Sequence, residues 1–363
     1  MKILQIVYSL GSGGAERLLV DLCNELSKEN EIYLCTILTE EIPENIFYKS
    51  ELFPKIKYIN LGCKKGLNIK SFVSIFRIIK NISPDIIHGH LNVLFYMYLP
   101  SLLFRKKRFV HTIHSLSEKY VFNSIHKHIN RFFYKFFIIP ITISNECQKS
   151  FENLYGLSNS IMIKNGRTMP IKTSEFEQVE KEVNSYKKHN DDFVFIHVAR
   201  YAEAKNQELL IESFNALILK DIHLILVIIG HGFEESGGLE LKNKSQNGII
   251  FLGKRKNVAD YLYASDFFCL TSQWEGLPIS LLEALACGIM PICTPVGGIP
   301  ELIKNDNFGV LSADLQIVSY IKAIEKAILI NPVFDRSFIT QYFKKNYSME
   351  QCAFDYFKVY SNL

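Results

Sequence analysis

Short runs of β-branched and aromatic residues alternate with helical stretches along the whole chain, and this alternation happens twice, with a polar interval between the two series. In the first series the strand-like runs are Lys2–Tyr8, Glu31–Leu38, Lys57–Leu61, Asp85–His90, Phe109–Ile113 and Ile138–Ser144, with a last short one, Ile161–Asn165, ending at the turn dipeptide Asn165-Gly166. Helical patterns separate them, as in Gly14–Lys28, where Leu18, Leu19, Leu22 and Leu26 recur at helical spacing. The second series runs Phe193–Val198, Leu224–Gly230, Ile249–Leu252, Asp266–Thr271, Met290–Thr294 and Val310–Ser312, with helices at Gln207–Leu219, Val258–Ala264, Pro278–Cys287 and Leu315–Ile330. Strand–helix–strand alternation is the mark of parallel α/β architecture, so the expectation is two doubly wound, Rossmann-like domains facing across a cleft, with ligands beyond the carboxyl ends of the strands. Residues 1–168 form the first domain, 169–190 a polar linker with a helix near Ser174–Lys188, and 191–345 the second domain. Residues 346–363, rich in Tyr and Phe, are read as a C-terminal helix packing back on the first domain.

A chain of 363 residues with 48% apolar and 21% charged residues has ample material for two cores of ordinary size. The eight cysteines are scattered, never in a Cys-x-x-Cys pair, and sit mostly in apolar runs, so they read as buried thiols in a reducing compartment. No secretory signal is visible at the start, and the longest membrane-like run, Val93–Leu99 continued past Pro100 to Phe104, falls short of the about 20 residues a spanning helix needs. A cytoplasmic protein is expected.

Three clusters carry the candidate chemistry. Gly11-Ser12-Gly13-Gly14-Ala15-Glu16-Arg17 follows the first strand and opens a helix, where close backbone approach and the helix N-terminus suit a diphosphate. It is not a dinucleotide fingerprint, because Glu16 stands where the third glycine would fall; a tight turn without ligand is the alternative. Arg200 and Lys205 follow the first strand of the second domain, and two fixed cations can hold a diphosphate and stabilise it as a leaving group. The bland alternative is a solvated pair of basic residues on a loop. Glu275-Gly276-Leu277-Pro278-Ile279-Ser280-Leu281-Leu282-Glu283 places one carboxylate before a helix and another on it, with Pro278 suited to the first helical turn. The flanking Leu282, Ala284, Leu285 and Ala286 argue against a freely solvated Glu283.

Glu275 and Glu283 resemble the E-x7-E motif of retaining glycosyltransferases of family 4, which have the GT-B fold. Gly13-Gly14-Ala15-Glu16-Arg17 is similar to that family's N-terminal loop, Arg200 and Lys205 to its Arg-x4-Lys pair, and Gly297-Gly298-Ile299-Pro300-Glu301 to a further stretch. The resemblance implies that Arg200 and Lys205 bind the donor diphosphate with amides near Gly276, Leu277, Ile279 and Ser280. It implies that Glu283 holds the ribose, that Glu275 contacts the transferred sugar and that Gly13 and Gly14 lie against the donor. His114, in His111-Thr112-Ile113-His114-Ser115, resembles the family's active-site histidine, the alternative being a satisfied histidine at a strand end; backbone at Gly253-Lys254 would meet the base. Ala199 and Arg167 depart from the pattern at positions away from this chemistry. No Asp-x-Asp pair occurs, so no metal and no cofactor are expected, the cations and a helix N-terminus supplying the positive potential.

The net charge of +4 is too mild to argue for nucleic acid, but between Ser101 and Phe137 eight Lys and Arg face one Glu, a local +7. Val121, Phe122, Ile125, Ile129, Phe132, Phe133, Phe136 and Phe137 recur at helical spacing there, with Lys127, His128, Arg131 and Lys135 largely on the other side. Residues 105–137 fit equally a basic amphipathic surface on anionic lipid, which would put the protein on the inner face of the cytoplasmic membrane, and an ordinary domain helix with a solvated face. The expected activity is transfer of a hexose or N-acetylhexosamine from a nucleotide sugar, a UDP-sugar by base rate, to a lipid-linked glycan acceptor in bacterial surface polysaccharide assembly. A UDP-sugar epimerase of the same fold and a catalytically silent partner of another transferase are the alternatives.

Overall fold

The computed structural model describes residues 1–66, 69–220 and 222–362; Leu363, at the end of the expected C-terminal helix, lies outside them. The chain forms two compact units, Met1–Thr168 together with Tyr347–Leu363, and Met169–Asn346.

The first unit is built on seven strands, β1 Lys2–Val7, β2 Glu31–Leu38, β3 Lys57–Cys63, β4 Ile86–His90, β5 Arg108–Ile113, β6 Ile138–Thr142 and β7 Ile161–Met162. All pair in parallel in the order β3-β2-β1-β4-β5-β6-β7, in registers such as Gln5 opposite His88 and His90 opposite Thr112. The connections are α1 Gly14–Leu26, α2 Ile69–Ile82, α3 Leu94–Leu103, α4 Ser124–Phe136 and α5 Asn145–Tyr155. A parallel sheet needs such crossovers and is covered on both faces, which is why Leu4, Ile6, Ile87 and Phe109 are buried apolar residues rather than half of an alternating pattern. Tyr98 of α3 stacks on Phe133 of α4, ring centroids 4.2 Å apart, within this core.

The second unit has six parallel strands, β8 Phe193–Val198, β9 Leu224–Ile229, β10 Ile249–Gly253, β11 Phe267–Leu270, β12 Met290–Cys293 and β13 Val310–Leu311, ordered β10-β9-β8-β11-β12-β13. Its helices are α6 Phe176–Ser185, α7 Gln207–Ile218, α8 Ser236–Asn243, α9 Val258–Tyr263, α10 Ile279–Ala286, α11 Ile299–Leu302, α12 Ile317–Ile330 and α13 Arg336–Tyr347. Phe195 and Phe267 stack at 4.6 Å in the centre of its core, with Phe214, Leu226, Ile292 and Tyr320 around them. Both strand orders reverse once, between β1 and β4 in one sheet and between β8 and β11 in the other, which is where doubly wound sheets open a crevice at their carboxyl edges.

Two segments differ from the sequence reading. Residues 169–190 are not a free linker: Val179 and Val183 of α6 are buried, Thr173 donates its N–H and hydroxyl to Asp260 at 2.8 and 2.5 Å, and Tyr261 bonds Glu182, so the segment is docked on the second unit. In α4 only Asn130, Phe133 and Tyr134 are buried, and the apolar residues divide between a core side and an outward side. The last helix, α14 Met349–Asn362, lies in the first unit with Cys352, Tyr356 and Tyr360 buried. Its start presses on the Asn165-Gly166 turn so closely that a Cβ at Gly166 would lie 2.5 Å from Cys352 Cβ. Arg167, beside that turn, reaches Asp21 of α1 at 2.6 Å, and Arg17 pairs with the same buried carboxylate, so the departure at Arg167 ties β7 to α1. All eight cysteines are free thiols, seven of them buried.

Candidate active site

In the second unit the candidate residues gather at the carboxyl ends of neighbouring strands. β8 ends at Val198 and delivers Arg200, which is exposed, then a single turn Glu203–Lys205. Asn206 follows in the left-handed region at φ 47°, a conformation Asn tolerates better than most residues, and starts α7. Thr271 and Gln273, past the end of β11, fix this turn: the Thr271 hydroxyl donates to the carbonyls of Lys205 and Asn206 at 3.1 Å each, and the Gln273 N–H to Ala204 O at 2.8 Å. That places Lys205 Nζ 2.5 Å from Glu275 Oε1, which also accepts the Ser272 hydroxyl at 2.6 Å. The pair sits at the β8/β11 reversal, and Glu275 is 9% exposed.

The backbone beneath Glu275 is equally constrained. Gly297, past β12, has φ +57°, and a Cβ there would lie 2.1 Å from Glu275 O, so only glycine lets the two loops touch. Gly298 N–H donates to Gly276 O at 2.8 Å, and the Thr294 hydroxyl to Ser272 O at 2.7 Å. Pro278 stands just outside the helix as the N-cap of α10 with φ −70° and ψ 126°, one position earlier than its sequence placement inside the first turn. Gly276, Leu277 and Ile279 are buried here, and Glu283, the fifth residue of α10, is partly buried. The N-terminus of α10 thus lies between the two carboxylates.

Arg200 and Lys254 share a neighbourhood. Lys254 follows Gly253, the last residue of β10, and His231 follows β9. His231 is held below its ordinary pKa first by burial and then by the positive charges of Lys254 and Arg200. The cations are therefore not isolated surface groups; Lys205 commits one of its three N–H donors to Glu275, leaving two for a ligand.

The first unit carries the other candidates. The loop after β1 is held by Leu10, which donates to Asn45 O at 2.8 Å and accepts from Tyr48 N–H at 3.0 Å. Gly13 is the extended N-cap of α1 without a side-chain cap, and Gly14 is exposed. A Cβ at Gly13 would fall 2.2 Å from Glu16 Oε2, so the Glu16 carboxylate folds over this helix start. A carboxylate there takes up the electrostatic advantage that an anion at this helix start would use.

His114 stands immediately beyond β5, partly accessible, its N–H donating to the Tyr120 hydroxyl at 3.2 Å. Its Nε2 is 3.1 Å from Nδ1 of His90, whose Nε2 is 2.8 Å from Gln5 Oε1. On the same face His88 bridges the hydroxyls of Tyr360 and Thr112 at 2.6 and 2.8 Å, while on the other face His111 bonds Tyr134 and Leu91 O. Burial, and for His88, His90 and His114 also the neighbouring histidines, holds these imidazoles neutral: His111 is lowered to about 4, His114 to about 3, and His88 and His90 lie well below the ordinary value. Sequence reading missed Gln5, His88, His90 and Ser272. The two-residue spacing of His88 and His90 on an apolar strand was the available signal for a shared face.

With this geometry in view, the chain can be set beside known proteins. The family model "Glycosyl transferases group 1" matches residues 178–342, and "Glycosyltransferase Family 4" matches residues 12–167. An N-acetyl-alpha-D-glucosaminyl L-malate synthase of Bacillus anthracis is 35% identical over 139 residues, which are 38% of this chain and 35% of that protein. A longer match is the N-acetylgalactosamine-N,N'-diacetylbacillosaminyl-diphospho-undecaprenol 4-alpha-N-acetylgalactosaminyltransferase of Campylobacter jejuni, 27% identical over 319 residues, 84% of each chain. The structure of the Anabaena protein HepE with UDP and glucose superposes with a TM-score of 0.84 over 100% of both chains at 18% identity, which establishes the GT-B fold.

Proposed function

The chain belongs to the family 4 glycosyltransferases, and from that premise we propose that it transfers a hexose or N-acetylhexosamine from a UDP-sugar to a lipid-linked glycan, in assembly of a bacterial surface polysaccharide. The observation that carries the reading is the Lys205–Glu275 pair set against the N-terminus of α10, with Glu283 on that helix. Arg200 and the two remaining donors of Lys205 take the diphosphate together with amides near Leu277–Ser280. Glu283 takes the ribose, Glu275 and His114 the transferred sugar, Gly13 and Gly14 lie against the donor, and the backbone of Gly253-Lys254 meets the base. The positive groups stabilise the departing diphosphate, and the acceptor attacks the same face, so configuration is retained. The absence of any Asp-x-Asp pair from the sequence supports a scheme that needs no metal. A UDP donor is supported by the UDP and glucose held by HepE, and a lipid-linked acceptor by the undecaprenol diphosphate substrate of the Campylobacter relative.

Binding and hydrolysis of a panel of UDP-, GDP- and ADP-sugars in EDTA, on wild type and Glu283→Ala, test this. One UDP-sugar is expected to bind selectively, indifferent to EDTA, with affinity lost in the variant by roughly 10- to 100-fold, the scale of losing charge-assisted hydrogen bonds to the ribose. Binding of no donor, or equal binding by Glu283→Ala, removes the assignment.

Contact of residues 105–137 with an anionic membrane belongs to the same proposal. Among the described residues no helix is long and apolar enough to cross a membrane. On α4 and just before it, Phe122, Ile125, Phe132 and Phe136 are 83%, 72%, 47% and 59% exposed, with Arg131, Lys135 and His128 also turned outward. Leu99 and Leu103 of the adjoining α3 are exposed as well. An outward apolar stripe beside a basic one suits insertion into the boundary of an anionic bilayer. Phe132→Ser with Phe136→Ser is expected to weaken sedimentation with phosphatidylglycerol vesicles at least about tenfold, given roughly 1.5–3 kcal/mol per buried Phe side chain. Because both rings are outside the core, the fold should be unchanged; equal sedimentation refutes the membrane contact.

A further inference from the structure

Behind His114 the first unit holds a continuous row of buried polar groups that the transfer reaction itself does not use. It runs His114 Nε2, His90 Nδ1 (3.1 Å), His90 Nε2, Gln5 Oε1 (2.8 Å), Gln5 Nε2, the Tyr360 hydroxyl (3.5 Å), His88 Nδ1 (2.6 Å), His88 Nε2 and Thr112 Oγ1 (2.8 Å), with the Tyr356 hydroxyl 3.1 Å beyond. Gln5 comes from β1, His88 and His90 from β4, Thr112 from β5, and both tyrosines from α14. Gln5, His88, His90 and Thr112 are all 0% exposed, so water does not compete for these bonds.

The donors and acceptors along the row fix one another. An amide oxygen only accepts, so with Gln5 Oε1 toward His90 the proton of His90 is on Nε2. Nδ1 of His90 is then a lone pair, and among the described residues the group offering it a proton is His114 Nε2. A neutral His114 protonated at Nε2 has a lone pair at Nδ1. On the other side the Gln5 amide N–H donates to Tyr360, whose own proton goes to His88 Nδ1, leaving His88 Nε2–H for Thr112. Every member between His114 and the Tyr356 hydroxyl is used once in each direction, and the direction of the whole row is set by the Gln5 amide, which contacts Tyr360 of α14.

We propose that Gln5, His90 and Tyr360 are positioning residues that lock His114 in its Nε2–H tautomer, so that Nδ1 meets the transferred sugar as a hydrogen-bond acceptor for a hydroxyl and never as a donor. This rests on the reading of His114 as a sugar contact. It gives α14 a part in the chemistry through its hydroxyls: the chain returns to the first unit at Tyr347, and its last buried hydroxyl orients the amide that orients the histidine. Depressed basicity agrees with this, since a row that depends on neutral imidazoles would be scrambled by an added proton.

The test is long-range proton–nitrogen NMR on the full chain labelled with 15N-histidine, with His114 assigned by its loss in His114→Asn. The expected wild-type spectrum shows His114 protonated at Nε2 alone. Gln5→Met, close in volume, and Tyr360→Phe, which removes one oxygen, should each give mixed tautomers at His114. Both should lower kcat roughly tenfold or more, the smaller end of acid–base and orientation effects, while the donor KM changes less than about twofold. His114 protonated at Nδ1 in the wild type, or a tautomer and kcat unmoved by both variants, overturns the proposal. The reading it rests on is measured separately by His114→Ala: unchanged transfer there removes His114 from the sugar site and leaves the tautomer result to stand or fall by the spectra.

Discussion

Lys205→Met is expected to lower kcat by about 10²- to 10³-fold, with the loss concentrated in the chemical step, because a fixed positive charge aimed at developing negative charge acts most strongly in the transition state. Under the proposed function the side chain has two tasks. Its ammonium holds Glu275 at 2.5 Å, and its two remaining donors are available to the leaving diphosphate. Removing it takes away the leaving-group charge and leaves a buried Glu275 with Ser272 as its hydrogen-bonding partner, at a cost on the order of 1–3 kcal/mol in stability. The two effects separate in a double-mutant cycle. Glu275→Gln restores neutrality beside the absent lysine, so Lys205→Met with Glu275→Gln should regain most of the lost stability and none of the lost rate. Lys205→Arg should rescue poorly, since a planar fork cannot replace a compact ammonium that serves a carboxylate and a ligand in different directions. Single-turnover kinetics and thermal unfolding on the four proteins of the cycle and on Lys205→Arg decide the matter. A Lys205→Met enzyme within about threefold of wild type removes Lys205 from the diphosphate site.

Most of the scaffold around that pair was legible in the chain. Runs such as Phe193–Val198 and Glu31–Leu38 coincide with β8 and β2 because a strand buried on both faces must be apolar throughout and end at polar or glycine residues. The E-x7-E spacing was also local information, since the register of α10 follows from Pro278 and the apolar residues after it. What was not legible depends on partners far away in sequence. Glu275 meets Lys205 from 70 positions upstream, and nothing in either motif says that one donor of the lysine is already committed. Residues 169–190 look like a linker because their polarity is local, while their docking through Thr173 and Asp260 spans 87 positions. The periodicity of α4 located an apolar stripe without saying which edge of it turns inward, and the answer came from Tyr98 of the neighbouring α3, which meets Asn130 and Phe133 of α4. His88 and His90 passed as strand residues because their meaning lies in Tyr360, 272 positions away from His88.

Those histidines make the stability of the first unit depend steeply on pH. His88, His90 and His111 are buried and His114 is partly accessible; all four are held neutral in the folded state, with His111 at about 4 and His114 at about 3, against about 6.5 in the unfolded chain. The unfolded chain therefore binds more protons than the folded one below pH 6.5. The contribution of these groups is complete above 6.5 and is lost progressively as pH falls toward their folded values. A histidine that stays neutral in the folded state down to pH 5 forfeits about 2 kcal/mol between pH 7 and pH 5, a large share of the stability of an ordinary domain. Carboxylates lose their contribution only around pH 4 and below, so the window between 6.5 and 5 belongs to the imidazoles. Scanning calorimetry from pH 7.5 to 5 should accordingly show the transition of the first unit falling by ten degrees or more, on the order expected when several kcal/mol are lost from a domain of this size. Unfolding near pH 5.5, measured in buffers of different ionisation enthalpy, should take up about three or four protons in that transition. A melting temperature level across this range, or an uptake below one proton, would mean that these imidazoles are already protonated in the folded protein. The donor–acceptor order of the row from Thr112 to His114 would then have to be given up with it.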